Sequence, residues 1–106
     1  MKPLIWLGSS REDISTFPES VRKQAGFELY RVQCGREPTN WKPLSTVGSG
    51  VREIRLGERN QYRVLYVANL TEAVYVLHAF VKKTPRTSKT DIELAKTRFK
   101  YLMTRL

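Results

Sequence analysis

The run Tyr75-Val76-Leu77-His78-Ala79-Phe80-Val81, followed at once by Lys82-Lys83-Thr84-Pro85-Arg86-Thr87, constrains the fold more than any other stretch of this chain. Its first half is apolar at every position but His78. It predicts a strand buried on both faces, in the middle of a sheet. Its second half is a basic, proline-broken loop leaving the end of that strand. A rigid strand that delivers Lys82, Lys83 and Arg86 to one sheet edge is a good way to hold a phosphate chain.

Charge is the strongest global signal. The 106 residues carry a formal net charge of +9. From Lys82 onwards there are eight Lys or Arg against Asp91 and Glu93, so +6 of that charge lies in the last quarter of the sequence. A field this lopsided implies a polyanionic partner: nucleic acid, an anionic membrane surface or an acidic protein. The bland reading is a solvated basic face without a partner. With 41% hydrophobic residues the chain has enough apolar content for one core, and residues 1–106 read as a single domain.

Nothing approaches the roughly 20 apolar residues of a membrane-spanning helix, and Met1 to Gly8 is too short for a signal-peptide core. The expectation is a cytoplasmic protein with no membrane association. One cysteine and one histidine exclude an internal disulfide and a Cys/His zinc cluster. No metal and no cofactor are expected. Cys34 reads as a small packing residue near a helix end rather than a catalytic thiol.

In chain order, Lys2 to Gly8 predicts a short strand, and Ser9 or Ser10 can cap a short helical turn carrying Glu12 and Asp13. Pro18 begins a second helix, along which Val21, Ala25, Leu29 and Val32 recur at helical spacing until Gly35 stops it. Arg36 to Gly50, with Pro38, Pro43, Gly48 and Gly50, predicts a mobile, irregular connection that Trp41 and Leu44 tack to the core. Val51 to Leu56, Gln61 to Leu70 and the run above then form an antiparallel meander. Thr90 and Glu93 have capping-box spacing, and Ile92, Ala95, Phe99, Leu102 and Leu106 stripe a last helix whose outer surface carries Lys96, Arg98, Lys100 and Arg105. The expected fold class is α+β: a curved antiparallel or mixed sheet of about four strands, with helices packed on one face and the other open.

Arg55 lies on the polar side of its strand beside Glu53, and Arg63 opens the next one, Tyr62-Arg63-Val64-Leu65-Tyr66. An arginine in an apolar β-run is costly to bury unpaired, so each is either salt-bridged, with Glu53 as the expected partner, or aimed at an anion on the open face. Lys82 and Lys83 alternate across their strand, so only one shares a face with Arg63. His78 reads first as a satisfied core residue and second as a general acid or base. Tyr62, Tyr66, Tyr75, Trp6 and Trp41 read as core or rim. There is no phosphate-binding glycine loop, no paired-carboxylate pattern and no catalytic triad spacing. RNA cleavage suits what remains: the 2′-hydroxyl attacks the adjacent phosphate, and cations stabilise the phosphorane.

Gly50-Val51-Arg52-Glu53-Ile54-Arg55, Tyr62-Arg63-Val64-Leu65-Tyr66 and Leu77-His78-Ala79-Phe80-Val81-Lys82-Lys83-Thr84, followed by Ala95 and Arg98 in a terminal helix, resemble the HigB-like toxins of the RelE/ParE toxin–antitoxin superfamily, in the phage-derived HigB-type branch. The resemblance covers essentially the whole chain, and the His-Ala-Phe-x-Lys-Lys-Thr run is its most specific part. It implies a RelE-like fold and a small cytoplasmic toxin that cuts mRNA on the ribosome. A cognate helix-turn-helix, HigA-like antitoxin would silence it. Carried over by position, Arg55, Arg63 and Lys83 would contact the phosphate and transition state, with His78 a proton-transfer candidate. Lys82, Arg86, Lys89 and Arg52 would bind RNA. On this reading Arg63→Ala abolishes activity and leaves the fold intact. RelE-like enzymes often place a Tyr, or a His with an Asp, near the C-terminus, whereas Tyr101 here lies on the helix, and the general base stays unassigned. The rivals are a ParE-like poison of DNA gyrase on the same fold and a non-enzymatic nucleic-acid-binding phage protein.

Overall fold

The element order is β1 (Leu4–Trp6), α1 (Ser10–Ser15), α2 (Glu19–Gln33), β2 (Trp41–Pro43), β3 (Val51–Leu56), β4 (Tyr62–Val67), β5 (Val74–Val81) and α3 (Lys89–Arg105). The computed structural model describes all residues from 1 to 106. The strands form one mixed sheet in the order β1-β5-β4-β3-β2, with β1 parallel to β5 and every other pairing antiparallel. The α+β class and the β3-β4-β5 meander are as the sequence predicts. No helix is long and apolar enough to cross a membrane.

Two features of the expected architecture are corrected. The helices do not share a face. Phe17 and the α2 residues Val21, Ala25, Leu29 and Val32 pack on Ile54, Leu56, Val64, Tyr66, Val74 and Val76. Ala95 and Leu102 of α3 pack on the opposite side, with Val51, Leu65, Val67, Tyr75, Leu77 and Phe80. The cause is β5 itself, buried at every position from Val74 to Phe80. A strand with apolar side chains on both sides requires a cover on both.

The sheet also has five strands rather than about four, and it is open and uncurled rather than curved. A layer gripped from both sides has no single cover to wrap around. The extra strand is β2, inside the segment predicted to be an irregular, mobile connection. Trp41, Lys42 and Pro43 pair with Ile54, Glu53 and Arg52 at the sheet edge, where a proline without an N–H is tolerated.

Helix ends explain how the connections are fixed. At the end of α2, Gly35 takes φ +82°, its N–H reaches the Val32 carbonyl and the Arg36 N–H reaches the Arg31 carbonyl. This paired closure needs a residue that tolerates the left-handed region, as glycine does. Beyond it, buried Glu28 accepts from both the backbone N–H and the hydroxyl of Thr39, which ties the following loop to the helix. Cys34, predicted to pack, is exposed at the helix end. The N-cap of α3 is Ser88, not Thr90: its hydroxyl accepts the Asp91 N–H at 3.1 Å and donates to the Asp91 carboxylate at 2.6 Å.

The β4-β5 pairing contains one irregularity with consequences for the site. Leu65 lies opposite His78 and Tyr66 opposite Val76, so Leu77 has no partner of its own. This bulge turns Leu77 and His78 to the same side, beneath α3.

The α3 layer closes over the sheet through Phe99, whose ring lies against Gly48. A Cβ at that position would clash with the ring carbons of Phe99. Gly48→Ala is therefore expected to destabilise the protein by about 1–3 kcal/mol through overpacking. Urea unfolding measures this, and the loss should shrink in the Phe99→Leu background.

Candidate nucleic-acid interface

Arg55 and Arg63 are directly opposite one another across β3 and β4. Like charges in that relation repel. Glu53, two residues before Arg55 and on the same side, resolves the conflict. Its Oε1 accepts from Arg63 Nη1 at 2.7 Å and lies 3.5 Å from Arg55 Nε. Arg63 also donates through Nε to the Asn60 carbonyl at 2.7 Å, in the β3-β4 turn where Asn60 adopts φ 56°. The side chains of Glu53 and Arg63 are 5% and 8% exposed, and that of Arg55 is 21% exposed.

The two alternatives left open by the sequence are thus divided between the two arginines. Arg63 is buried, ion-paired and held to the turn. Arg55 keeps only the long contact to Glu53, and the rest of its guanidinium makes no bond within the protein. The expectation that Arg63→Ala leaves the fold intact is corrected on the same geometry, because that change strands the buried Glu53 carboxylate.

Phe80 is the cross-strand partner of Arg63, so Lys82, two residues further, is the lysine on the Arg63 side, and its N–H is bonded to the Gln61 carbonyl at 2.6 Å. Its partial burial, reinforced by the positive field of Arg63, lowers the Lys82 ammonium below the ordinary lysine value; Glu53 opposes the shift, while Arg55 and Lys42 add to it. Lys82, Lys83 and Arg86 together line a groove of about 390 Å³ with Phe80 and Asp91. Lys89 begins α3 nearby, exposed and outside the groove lining. Arg52 is not part of this assembly. It lies on the α2 side of the sheet, its guanidinium 4.0 Å over the Trp41 ring. No three His, Cys, Asp or Glu side chains converge as a metal cage would require.

One side of the sheet thus presents three cations against a single carboxylate, beside a basic groove. The model of one protein family, described as "Phage derived protein Gp49-like (DUF891)", matches residues 12–100. The chain belongs to this family. The Gp49-like family is in general one of RelE/HigB-type toxins of toxin–antitoxin systems, for which an antitoxin partner is the rule. The match runs from α1 to near the end of α3 and includes every charged residue of the cluster and groove. No curated protein matches the sequence.

Within this Gp49-like chain, His78 is placed as an anchor. It is 4% exposed. Its Nε2 lies 2.7 Å from Asp91 Oδ1, its Nδ1 lies 3.5 Å from Arg98 Nη1, and its ring stacks on Phe80 at 5.1 Å. Both ring nitrogens are engaged with α3, and none is left for a substrate.

Arg98 was expected on the outer surface of the last helix and instead points inward. It donates to the Leu77 carbonyl at 2.9 Å and to the Ser9 hydroxyl at 3.1 Å, bridging β5 and the start of α1. Gly8, at φ +53°, has no room for a Cβ against that guanidinium. Sequence reasoning missed Asp91, the inward direction of Arg98 and the sharing of Glu53 by both arginines. Arg98 carried two signals, its place three residues after Ala95 and its part in the resemblance to the HigB-like toxins, and neither turned it inward.

Replacing the shared carboxylate by an amide leaves two opposed arginines with no negative charge between them. Glu53→Gln is expected to cost about 3 kcal/mol or more, read as a loss of unfolding free energy in urea, whereas Lys83→Gln on the exposed loop stays within about 0.5 kcal/mol of the parent.

Proposed function

We propose that the protein is the toxin of a type II toxin–antitoxin pair and a ribosome-dependent mRNA endonuclease of the HigB-like kind. The observation that carries this reading is the convergence of Arg55, Arg63 and Lys82 on one face around a single carboxylate. In this mechanism the RNA supplies its own nucleophile: the 2′-oxygen bonds to the adjacent phosphorus, the P–O5′ bond breaks, and the products are a 2′,3′-cyclic phosphate and a 5′-hydroxyl whose proton comes from solvent. The protein positions the scissile phosphate, neutralises the charge that develops on it and takes up the 2′-hydroxyl proton.

Arg55 is the electrophilic group. Its unbonded guanidinium edge offers two or more N–H donors to the non-bridging oxygens of the phosphorane, in a partly dry setting where such donors count for most. Arg63 holds Glu53, and through it the orientation of Arg55. Lys82 is the proton acceptor, since desolvation and the positive field of Arg63 lower its ammonium below the ordinary lysine value and so favour the neutral amine. Lys83 and Arg86, with Lys89 at the rim, bind flanking phosphates and set the register of the chain without reading bases. His78 acts through α3 by fixing the wall of the groove. A substrate on the ribosome implies a cytoplasmic protein on this reading, with mRNA as one partner. A helix-turn-helix, HigA-like antitoxin with a complementary surface is the other.

The test is induction of the protein without an antitoxin, with sequencing of mRNA 5′ ends. Codon-phased cuts in translated messages are expected, and Arg55→Gln should reduce cleavage by about 10²–10³-fold. On purified translating ribosomes the rate should rise with pH, because the Lys82 amine must be neutral to accept a proton. The midpoint should lie below the ordinary lysine value and the rise should vanish in Lys82→Met. Growth arrest with DNA-damage signalling and intact messages would overturn the proposal in favour of gyrase poisoning.

A further inference from the structure

The Tyr66 hydroxyl is the one buried side-chain polar atom in the fold without a hydrogen-bond partner. The residue is 1% exposed and lies on the α2 side of the sheet, away from the arginine pair. Leaving such a group unpaired is costly, and a buried hydroxyl in a native fold is normally satisfied. Tyr66 is one of the residues lining a cavity of about 390 Å³ between the end of α2 and the β3-β4 pair, with Arg36, Arg52, Gly50 and Asn69.

The charges around that cavity are unequal in their freedom. Lys2 is committed, its ammonium donating to the Ala68 and Leu70 carbonyls at 2.7 Å each. Glu28 is committed to Thr39. Arg52 is held over Trp41 by a 4.0 Å cation–π contact, which fixes the guanidinium and leaves N–H donors at its edge. Arg36 stands exposed, and Glu37 is the single carboxylate in the lining. Burial raises the Tyr66 phenol above its ordinary pKa; the adjacent Arg52 guanidinium opposes the rise through hydrogen bonding and charge, and Glu37 and Glu28 add to it. The hydroxyl is therefore a retained proton donor, with the Arg52 guanidinium beside it and Arg36 in the same lining without a partner of its own.

We propose that this cavity is an oxyanion site, separate from the cleavage face, that binds a phosphate or carboxylate group of a small molecule. Tyr66 donates its proton to one oxygen and Arg52 and Arg36 neutralise the others. A pre-oriented arginine and a buried hydroxyl favour such a group because it is the ligand that satisfies both at once. The cavity exceeds one phosphate, so there is room for the body that carries the anion.

The experiment is a titration of the ¹⁵N-labelled protein with inorganic phosphate, and separately with acetate, at ionic strength held constant with chloride. Saturable shifts at the amides of Arg36, Gly50 and Asn69 are expected from at least one of the two. Tyr66→Phe should weaken binding by roughly tenfold or more, with Tm no lower than the parent and cleavage on ribosomes unchanged. Shifts confined to residues 82–89, shifts that never saturate, or equal binding by Tyr66→Phe would each overturn the proposal.

Discussion

A single carboxylate, that of Glu53, sets the character of the charged face. Two arginines placed opposite one another on neighbouring strands repel, and one of them is almost wholly buried. Without an anion between them the β3-β4 pairing would work against itself. Glu53 removes that conflict but is shared unequally. The close bond goes to Arg63, and the distant one leaves Arg55 with donors to spare. The same carboxylate therefore stabilises the sheet and leaves an excess of positive charge, since Lys82 joins the cluster without an acid of its own.

The second constraint is β5. Apolar on both sides, it obliges helices to cover both faces, and the bulge at Leu77 then directs His78 under α3. His78, Asp91, Arg98 and Ser9 form a chain of contacts from β5 through α3 to the start of α1. That network holds the wall from which the basic loop departs. Rigidity at this end of the sheet matters for the proposed chemistry, because Arg55, Lys82 and the loop cations sit on different segments and must converge on one phosphate.

How much of this was legible in the sequence differs by element. The apolar run of β5 and the helical spacing of Val21, Ala25, Leu29 and Val32 are strong periodic signals, and both elements lie where predicted. β2 was not legible, because three residues including Pro43 carry no pattern and the strand exists only through its pairing with β3. The side of the sheet taken by α3 was also hidden. Periodicity defines which face of a helix is apolar, not which face of a sheet receives it. The demand for two covers was implicit in β5, and that is the feature that decided the outcome.

The site was legible in composition and not in geometry. Alternation placed Arg55 beside Glu53, but nothing local distinguished the paired arginine from the free one, a matter of cross-strand register. Parity alone did not assign Lys82 to the Arg63 side, and the bulge upstream is invisible to it. Arg52 carried the same charge as its neighbours and fell on the opposite face, where it stacks on a tryptophan.

The central claim is that Glu53 engages Arg63 and leaves Arg55 available to an RNA phosphate. The most direct measurement follows the Nε–Hε resonances of both arginines while a short 2′-O-methylated, uncleavable RNA is added. The account predicts a saturable shift of the Arg55 resonance, with Arg63 remaining protected from exchange throughout. An Arg55 resonance that stays put while only exposed cations such as Arg36 and Lys100 respond would contradict it.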